Sequence, residues 1–305
     1  MIKKWKKQEI IDKIIKLRPF YYLSTRKGRF SYAPIKTIIF YFLCLFNLYS
    51  PIKVKIKART IFGDEMYGYS STSLGSIYYL GFQDPELTLF LIKNLNPGDI
   101  FIDGGSSIGY YSLLAKNLVS PGGKVYSFEP TPRTYSLLKD NTKTFSNIYI
   151  NPMALFDKKG IIDDFVDYGI RFDAFNTLFK RKVNFLKGKG RVIKIETETL
   201  DNFCRSKNIA PTIIKLDTEG SESLVLKGAA ATISNQRPLV VLEVGEGEEW
   251  KENSQKSLDF LLKRKYKVFE LNMDGNLMPH KRRALYEYSN LVFIPEESIN
   301  FFINT

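Results

Sequence analysis

Four acids in this chain each close a short apolar run. Ile100 to Ile102 leads to Asp103, Lys124 to Phe128 to Glu129, Thr212 to Leu216 to Asp217, and Leu239 to Leu242 to Glu243. Asp103 opens the turn Gly104-Gly105-Ser106-Ser107-Ile108-Gly109, and Asp217 opens Thr218-Glu219-Gly220. Carboxylates so placed can accept hydrogen bonds from amines and hydroxyls, take a proton as general base, or ligate a hard cation. Glycines let a backbone pass close to a ligand without a Cβ clash. A helix starting just past Gly109 would favour a negative group at its first turn.

Together these features fit S-adenosylmethionine. The helix N-terminus, reached through Gly104, Gly105 and Gly109, suits the carboxylate of its methionine part, Asp103 suits the amino group, and Glu129 suits both ribose hydroxyls. A nicotinamide dinucleotide is the rival. Its fingerprint is Gly-x-Gly-x-x-Gly, whereas here an acid precedes the glycines, the last gap is one residue longer, and a pyrophosphate would meet Asp103. No Gly-Lys-Ser/Thr phosphate loop is present. Asn151-Pro152-Met153-Ala154 superficially resembles the Asn/Asp-Pro-Pro-aromatic motif of nitrogen methylases, but lacks the second proline and the aromatic. By position, Ala154 and Leu155 line an adenine pocket, and Asp157 either contacts that base or begins the turn to Gly160.

Methyl transfer is an in-line displacement that needs positioning and removal of the acceptor's proton. Asp217 and Glu219 are the leading acceptor-side candidates, with Glu243 next and Lys215 as an electrostatic helper; Glu219 and Lys215 could equally only brace their loop. His280 is the single histidine. It titrates near neutrality and is a further candidate base, although in Met278-Pro279-His280-Lys281-Arg282-Arg283 it reads first as a surface residue. The same basic loop could bind an acidic or phosphorylated acceptor. Asp217, Glu219 and Glu243 could hold a divalent cation, but nothing in the sequence requires one and none is expected.

These residues need a scaffold. Strands over 100–103, 124–128, 147–150, 212–216, 239–242, 266–271 and 290–294 alternate with helices to Leu118 and over 132–143, 200–207, 222–231 and 254–264. That alternation predicts an α/β fold with a mostly parallel sheet covered on both faces, and its ligands at the carboxyl ends of the strands. Residues 157–198 are polar with alternating character and read as an added β-hairpin. Residues 61–305 form the catalytic body.

Residues 1–60 read as an extension, with helices over Gln8–Leu17 and from Pro34 to Leu48. They hold 15 Lys/Arg against 2 Asp/Glu, leaving 30 of each for residues 61–305, so the whole net charge of +13 lies in the extension. A uniformly basic nucleic-acid enzyme would look different, and a nucleic-acid partner is not expected. Either the extension is a cap packing Phe40, Phe42, Leu45 and Phe46 on the body, or it is an interfacial membrane contact. Its apolar run from Ile38 falls short of the about 20 residues a spanning helix needs. Cys44 and Cys204, the two cysteines, show no metal spacing; a reducing cytoplasm is the expected location, peripheral at the inner membrane face where the extension is an interfacial contact.

Pro97-Gly98-Asp99-Ile100-Phe101-Ile102-Asp103-Gly104-Gly105-Ser106-Ser107-Ile108-Gly109-Tyr110-Tyr111 resembles the first motif of the FkbM-type methyltransferases. Val125 to Pro130 resembles the second, and Thr199-Leu200-Asp201 with Ile214-Lys215-Leu216-Asp217-Thr218-Glu219-Gly220-Ser221-Glu222 the third. The resemblance covers about residues 78–245. It departs at Gly104, Ser106 and Ser107, where the family usually has a small or apolar residue and then Ala-Asn. It implies a Rossmann-like class I methyltransferase fold and S-adenosylmethionine-dependent O-methylation of a small-molecule or glycan hydroxyl, with Tyr110 and Pro130 completing the cofactor site. Two other readings are a peripheral membrane or scaffold protein with a degenerate cofactor fold, and a nicotinamide oxidoreductase.

Overall fold

The computed structural model describes residues 4–22, 33–69, 71–170, 190–245, 248–286 and 289–303. Two helices, α1 (Lys4–Tyr22) and α2 (Pro34–Tyr49), precede a small hairpin of β1 (Ile56–Arg59) and β2 (Glu65–Gly68); α3 (Ser71–Leu80) and α4 (Pro85–Asn94) follow. The body continues through β3 (Ile100–Gly104), α5 (Tyr110–Leu118), β4 (Lys124–Phe128), α6 (Pro132–Thr142) and β5 (Ile148–Asn151). Its second half holds α7 (Leu200–Lys207), β9 (Ile213–Leu216), α8 (Glu222–Lys227), α9 (Ala230–Gln236) and β10 (Leu239–Val244). Then come α10 (Glu248–Leu262), β11 (Tyr266–Leu271), β12 (Leu277–Pro279), β13 (Ser289–Pro295) and α11 (Ile299–Ile303).

One eight-stranded sheet has the order β12-β11-β13-β10-β9-β3-β4-β5. From β10 to β5 all pairs are parallel, while β13 runs antiparallel to both its neighbours and β12 antiparallel to β11. The chain builds outward from β3 to β5, then returns to lay β9 on the other side of β3. Such a reversal opens a crevice at the carboxyl ends of the two central strands, where ligands of open α/β sheets bind.

Alternation along each strand sends successive side chains to opposite faces. Phe101, Val125, Ile213, Leu239 and Val241 enter one core with residues of α1, α2, α4 and α5. Ile102, Tyr126, Phe128, Ile214, Leu216, Val240 and Leu242 enter the other, with residues of α7 to α10. Burial on both faces is why these strands read as nearly unbroken apolar runs.

The insertion forms β6 (Ala154–Leu155), β7 (Gly160–Asp167) and β8 (Arg191–Glu198), ordered β6-β8-β7, with β7 and β8 antiparallel. The tip of the expected hairpin, 171–189, lies outside the described residues.

The helix expected over 222–231 is two helices. Asp201 explains the break: its carboxylate accepts from Ala231 N at 2.9 Å and Thr232 N at 2.7 Å, capping α9. The helix expected from Ser254 starts at Glu248, where buried Trp250 packs on Gly245.

The extension helices dock on the body. Ile10 and Ile14 of α1 are buried, and α1 reaches Tyr22 rather than Leu17. Phe40 of α2 is buried against Tyr78, ring centroids 4.3 Å apart. Buried Asn47 donates to Val54 O and Tyr69 O and accepts from Val54 N. The packing expected of Phe42, Leu45 and Phe46 does not occur: all three are exposed. Their run is apolar on every side, so its period alone could not say which side meets the body.

Candidate active site

Strand register assembles the site. Asp103 pairs with Lys215, Lys215 with Val241, and Asp103 with Ser127. Residues paired across parallel strands, and those two further along, share a face. Asp103, Lys215 and Ser127 therefore form one row, and Glu129, Asp217 and Glu243 the row above it, all on the face carrying α5 and the extension.

Lys215 is the hub. Its ammonium lies 3.1 Å from Asp217 Oδ2 and 3.6 Å from Asp103 Oδ1, and 4.8 Å over the Tyr111 ring. Burial alone would depress its pKa, but the charges of Asp217, Asp103 and Glu243 outweigh burial and raise it, so it stays protonated. Asp103 is fully buried; its Oδ2 accepts from Ser112 Oγ at 2.6 Å, while Oδ1 has no hydrogen-bond donor. Glu243 is also buried and its Oε2 lacks a donor. Burial first, and the neighbouring charge of Asp217 second, hold the Glu243 carboxyl well above the ordinary carboxylate range.

Oxygens of Asp217, Glu219 and Glu243 all lie within 4.8 Å of one another. Glu219 reaches this group through a left-handed backbone, φ 54°. Glu222 fixes that turn: its Oε1 accepts from Thr218 N at 2.8 Å and Gly220 N at 3.3 Å, and its Oε2 from Asn253 Nδ2 at 2.6 Å. The spacing Asp217-x-Glu219-Gly220-x-Glu222 is thus one acid that shapes a turn and two that face the site.

The glycine turn is shaped by the protein itself. A Cβ on Gly105, at φ 77°, would lie 1.8 Å from Asp217 O, and one on Gly109 2.7 Å from Leu138 Cδ1. These two glycines bring the turn against the β9 loop and α6. Ser106 ties the turn to β4, donating to Asp103 O and accepting from Phe128 N. Glu129 is buried, with one oxygen accepting from Ser107 N at 3.1 Å and the other from Thr131 N at 2.9 Å. These two amides aim the carboxylate at the turn. The N-cap of α5 is Gly109, which has no side chain to satisfy the first amides of the helix.

Sequence reasoning missed Asp84. It is left-handed, φ 38°, and accepts from Tyr21 Oη at 2.9 Å and Tyr111 Oη at 2.8 Å. Tyr111 in turn covers Lys215, so the chain Tyr21–Asp84–Tyr111–Lys215 ties α1 to the site. Tyr111 stood within the first motif, but no spacing signals a partner on α1.

Other expected residues fall as follows. Tyr110 is buried, its ring 5.7 Å from Phe62 and its hydroxyl 3.2 Å from Thr88 Oγ1, so only its backbone faces the turn. Leu155 is buried beneath Gly104, while Ala154 and Pro130 are half-buried. His280 is not a surface residue: its side chain is 2% exposed. Nδ1 donates to Glu270 and Nε2 accepts from Tyr286 Oη, each at 3.0 Å. Burial lowers its pKa more than Glu270 raises it. The two arginines of the basic loop are matched internally, Arg282 by Asp259 and Gln255 and Arg283 by Glu270.

The residues present fit S-adenosylmethionine. Asp103 Oδ1 faces the Lys215 ammonium only at 3.6 Å and suits a closer amine donor, Glu129 is aimed at the turn, and the uncapped α5 amides suit a carboxylate. Asp217, Glu219 and Glu243 are also a possible hard-cation set by chemistry, with Lys215 already placing a positive charge beside them.

A family model described as Methyltransferase FkbM domain matches residues 103–268. The chain is similar to the hexuronic acid methyltransferase AglP of Haloferax volcanii, 23% identical over 175 residues, which cover 55% of this chain and 65% of that protein. Among solved structures it is similar to the methyltransferase FkbM from Methylobacillus flagellatus, at 19% identity and TM-score 0.45, covering 71% of this chain and 49% of that one. It is also similar to an O-methyltransferase from Bacillus cereus in complex with SAH, at 9% identity and TM-score 0.40, covering 68% of this chain and 78% of that one.

Proposed function

This chain belongs to the FkbM methyltransferase family, and we propose that it uses S-adenosylmethionine to methylate a hydroxyl of a glycan, sugar-lipid or secondary metabolite. Its similarity to a hexuronic acid methyltransferase supports a sugar-containing acceptor. The observation that carries the reading is the grouping of Asp217, Glu219 and Glu243 beside Lys215, next to the glycine turn.

When bound, S-adenosylmethionine supplies an electrophilic methyl group. Asp103 and the α5 amides would hold its amino-acid part, Glu129 its ribose, and Ala154 and Leu155 its adenine, with Pro130 behind Glu129 and Tyr110 holding the turn from the core. On the acceptor side, Asp217 or Glu219 takes the hydroxyl's proton, and Glu243, held toward its neutral form by burial and by the charge of Asp217, stands beside them as a hydrogen-bond donor. Asp217 and Glu219 orient that hydroxyl. Lys215 holds Asp217 in place.

Calorimetric titration tests the cofactor: S-adenosylhomocysteine is expected to bind and NAD not to. Asp217→Asn is expected to keep that affinity and to lower methyl transfer to a hexuronic-acid-containing glycan by about 10²–10⁴-fold. Binding of NAD instead overturns the cofactor assignment; unchanged turnover in Asp217→Asn overturns the acceptor-side role.

A further inference from the structure

Helix α2 has two apolar sides, and the body covers one. Phe40 and Asn47 fasten the inner side. On the other, Ile35, Ile38, Phe42, Leu45 and Tyr49 are each more than half exposed. Their spacing of three, four, three and four residues lays them in one stripe along the helix. Ile52, just past the helix end, is also exposed. The 16 residues of α2 include one lysine and no acid. An apolar stripe this continuous on a water-facing surface marks a contact with something else.

Charge says with what. All of the chain's net +13 lies in residues 1–60. A second copy packed symmetrically on this face would bring two such segments together. An acidic surface removes that repulsion, and an apolar one rewards the stripe; an anionic bilayer offers both. No helix among the described residues is long and apolar enough to cross a membrane. Phe40 and Asn47 hold the inner side of α2 on the body, which leaves its outer side to lie along a surface. Tyr49 at the end of the stripe suits the headgroup level, where aromatic rings with a polar tip settle.

We propose that the outer side of α2 is a membrane-docking surface, laying Ile38, Phe42 and Leu45 into the interface of an anionic phospholipid bilayer while the basic side chains of the extension meet the headgroups. This inference does not depend on the reaction the site performs.

The test is flotation of the full-length protein with vesicles of phosphatidylcholine alone, or of phosphatidylcholine and phosphatidylglycerol at three to one. The protein is expected to float with the anionic vesicles and to bind the neutral ones at least about tenfold more weakly. Replacing Phe42 and Leu45 together by Asp is expected to cut partitioning by at least about a hundredfold, since two large apolar contacts are lost. Unchanged circular dichroism and S-adenosylhomocysteine affinity verify the fold of that variant. If it fails to fold, Phe42→Trp serves instead, with a blue-shifted emission that brominated lipids quench expected only on anionic vesicles. Wild-type protein that stays unbound, or a double variant that floats like the wild type, overturns the proposal. So does a dimer in solution that Phe42→Asp dissociates while neither protein floats, which assigns the face to a second copy.

Discussion

Two clusters of charged and phenolic groups lie near the carboxyl edge of the same sheet, on either side of β13. Around Lys215, on β3, β9 and β10, the acids Asp103, Asp217 and Glu243 share one buried ammonium, and Glu243 Oε2 has no hydrogen-bond partner. Around His280, against β11, both ring nitrogens are matched, and Glu270 also receives Arg283 at 2.8 Å. The two contain similar residue types and differ in completeness. A buried polar atom without a partner costs about 1–3 kcal/mol, and here it stands among acids that outnumber the ammonium beside them. The cluster that is finished is part of the framework; the unfinished one is where chemistry is expected.

Three variants sharpen or break this contrast. The largest effect is expected from Asp103→Ala, which leaves Lys215 buried with one partner fewer. Urea unfolding should show a loss of about 3–5 kcal/mol, with S-adenosylhomocysteine affinity lost as well; full retention of both would mean that the row does not depend on Asp103. Glu243→Gln comes next, with turnover falling about a hundredfold. It also has a pH signature. The native carboxyl is held above its ordinary value of 4.5, so the stability it contributes as a neutral acid is complete below that value and is lost as pH rises through the raised native one. Glutamine cannot ionise, so the melting temperature of the variant should gain on the wild type as pH rises above about 5. A constant gap across that range would show that Glu243 titrates normally. The smallest effect is expected from His280→Gln, about 1 kcal/mol of stability and turnover within about twofold; a steep loss of turnover at unchanged stability would move the catalytic base to the other cluster.

Much of the site was legible in the sequence because its signals are local. The acids fall where apolar strands end, and strand ends of a parallel sheet share an edge, so Asp103, Glu129, Asp217 and Glu243 could be placed from spacing alone. What escaped the sequence depends on approach in space. Asp84 joins the site only because Tyr21, more than 60 residues earlier, comes to meet it. The break between α8 and α9 depends on the Asp201 carboxylate arriving from another helix. Phe40 and Phe42 look alike in a run that is apolar throughout, and only the docked helix distinguishes the buried ring from the exposed one.

The hydrogen bond from Tyr21 to Asp84 has a practical consequence for anyone preparing this protein. The greasy, basic first sixty residues invite trimming to improve yield. A trimmed version would lose one of the two phenols that hold Asp84, and with it part of the support beneath Tyr111 and Lys215. Kinetic constants measured on the shortened chain would then describe a differently tuned enzyme, even where its fold and its cofactor affinity look intact.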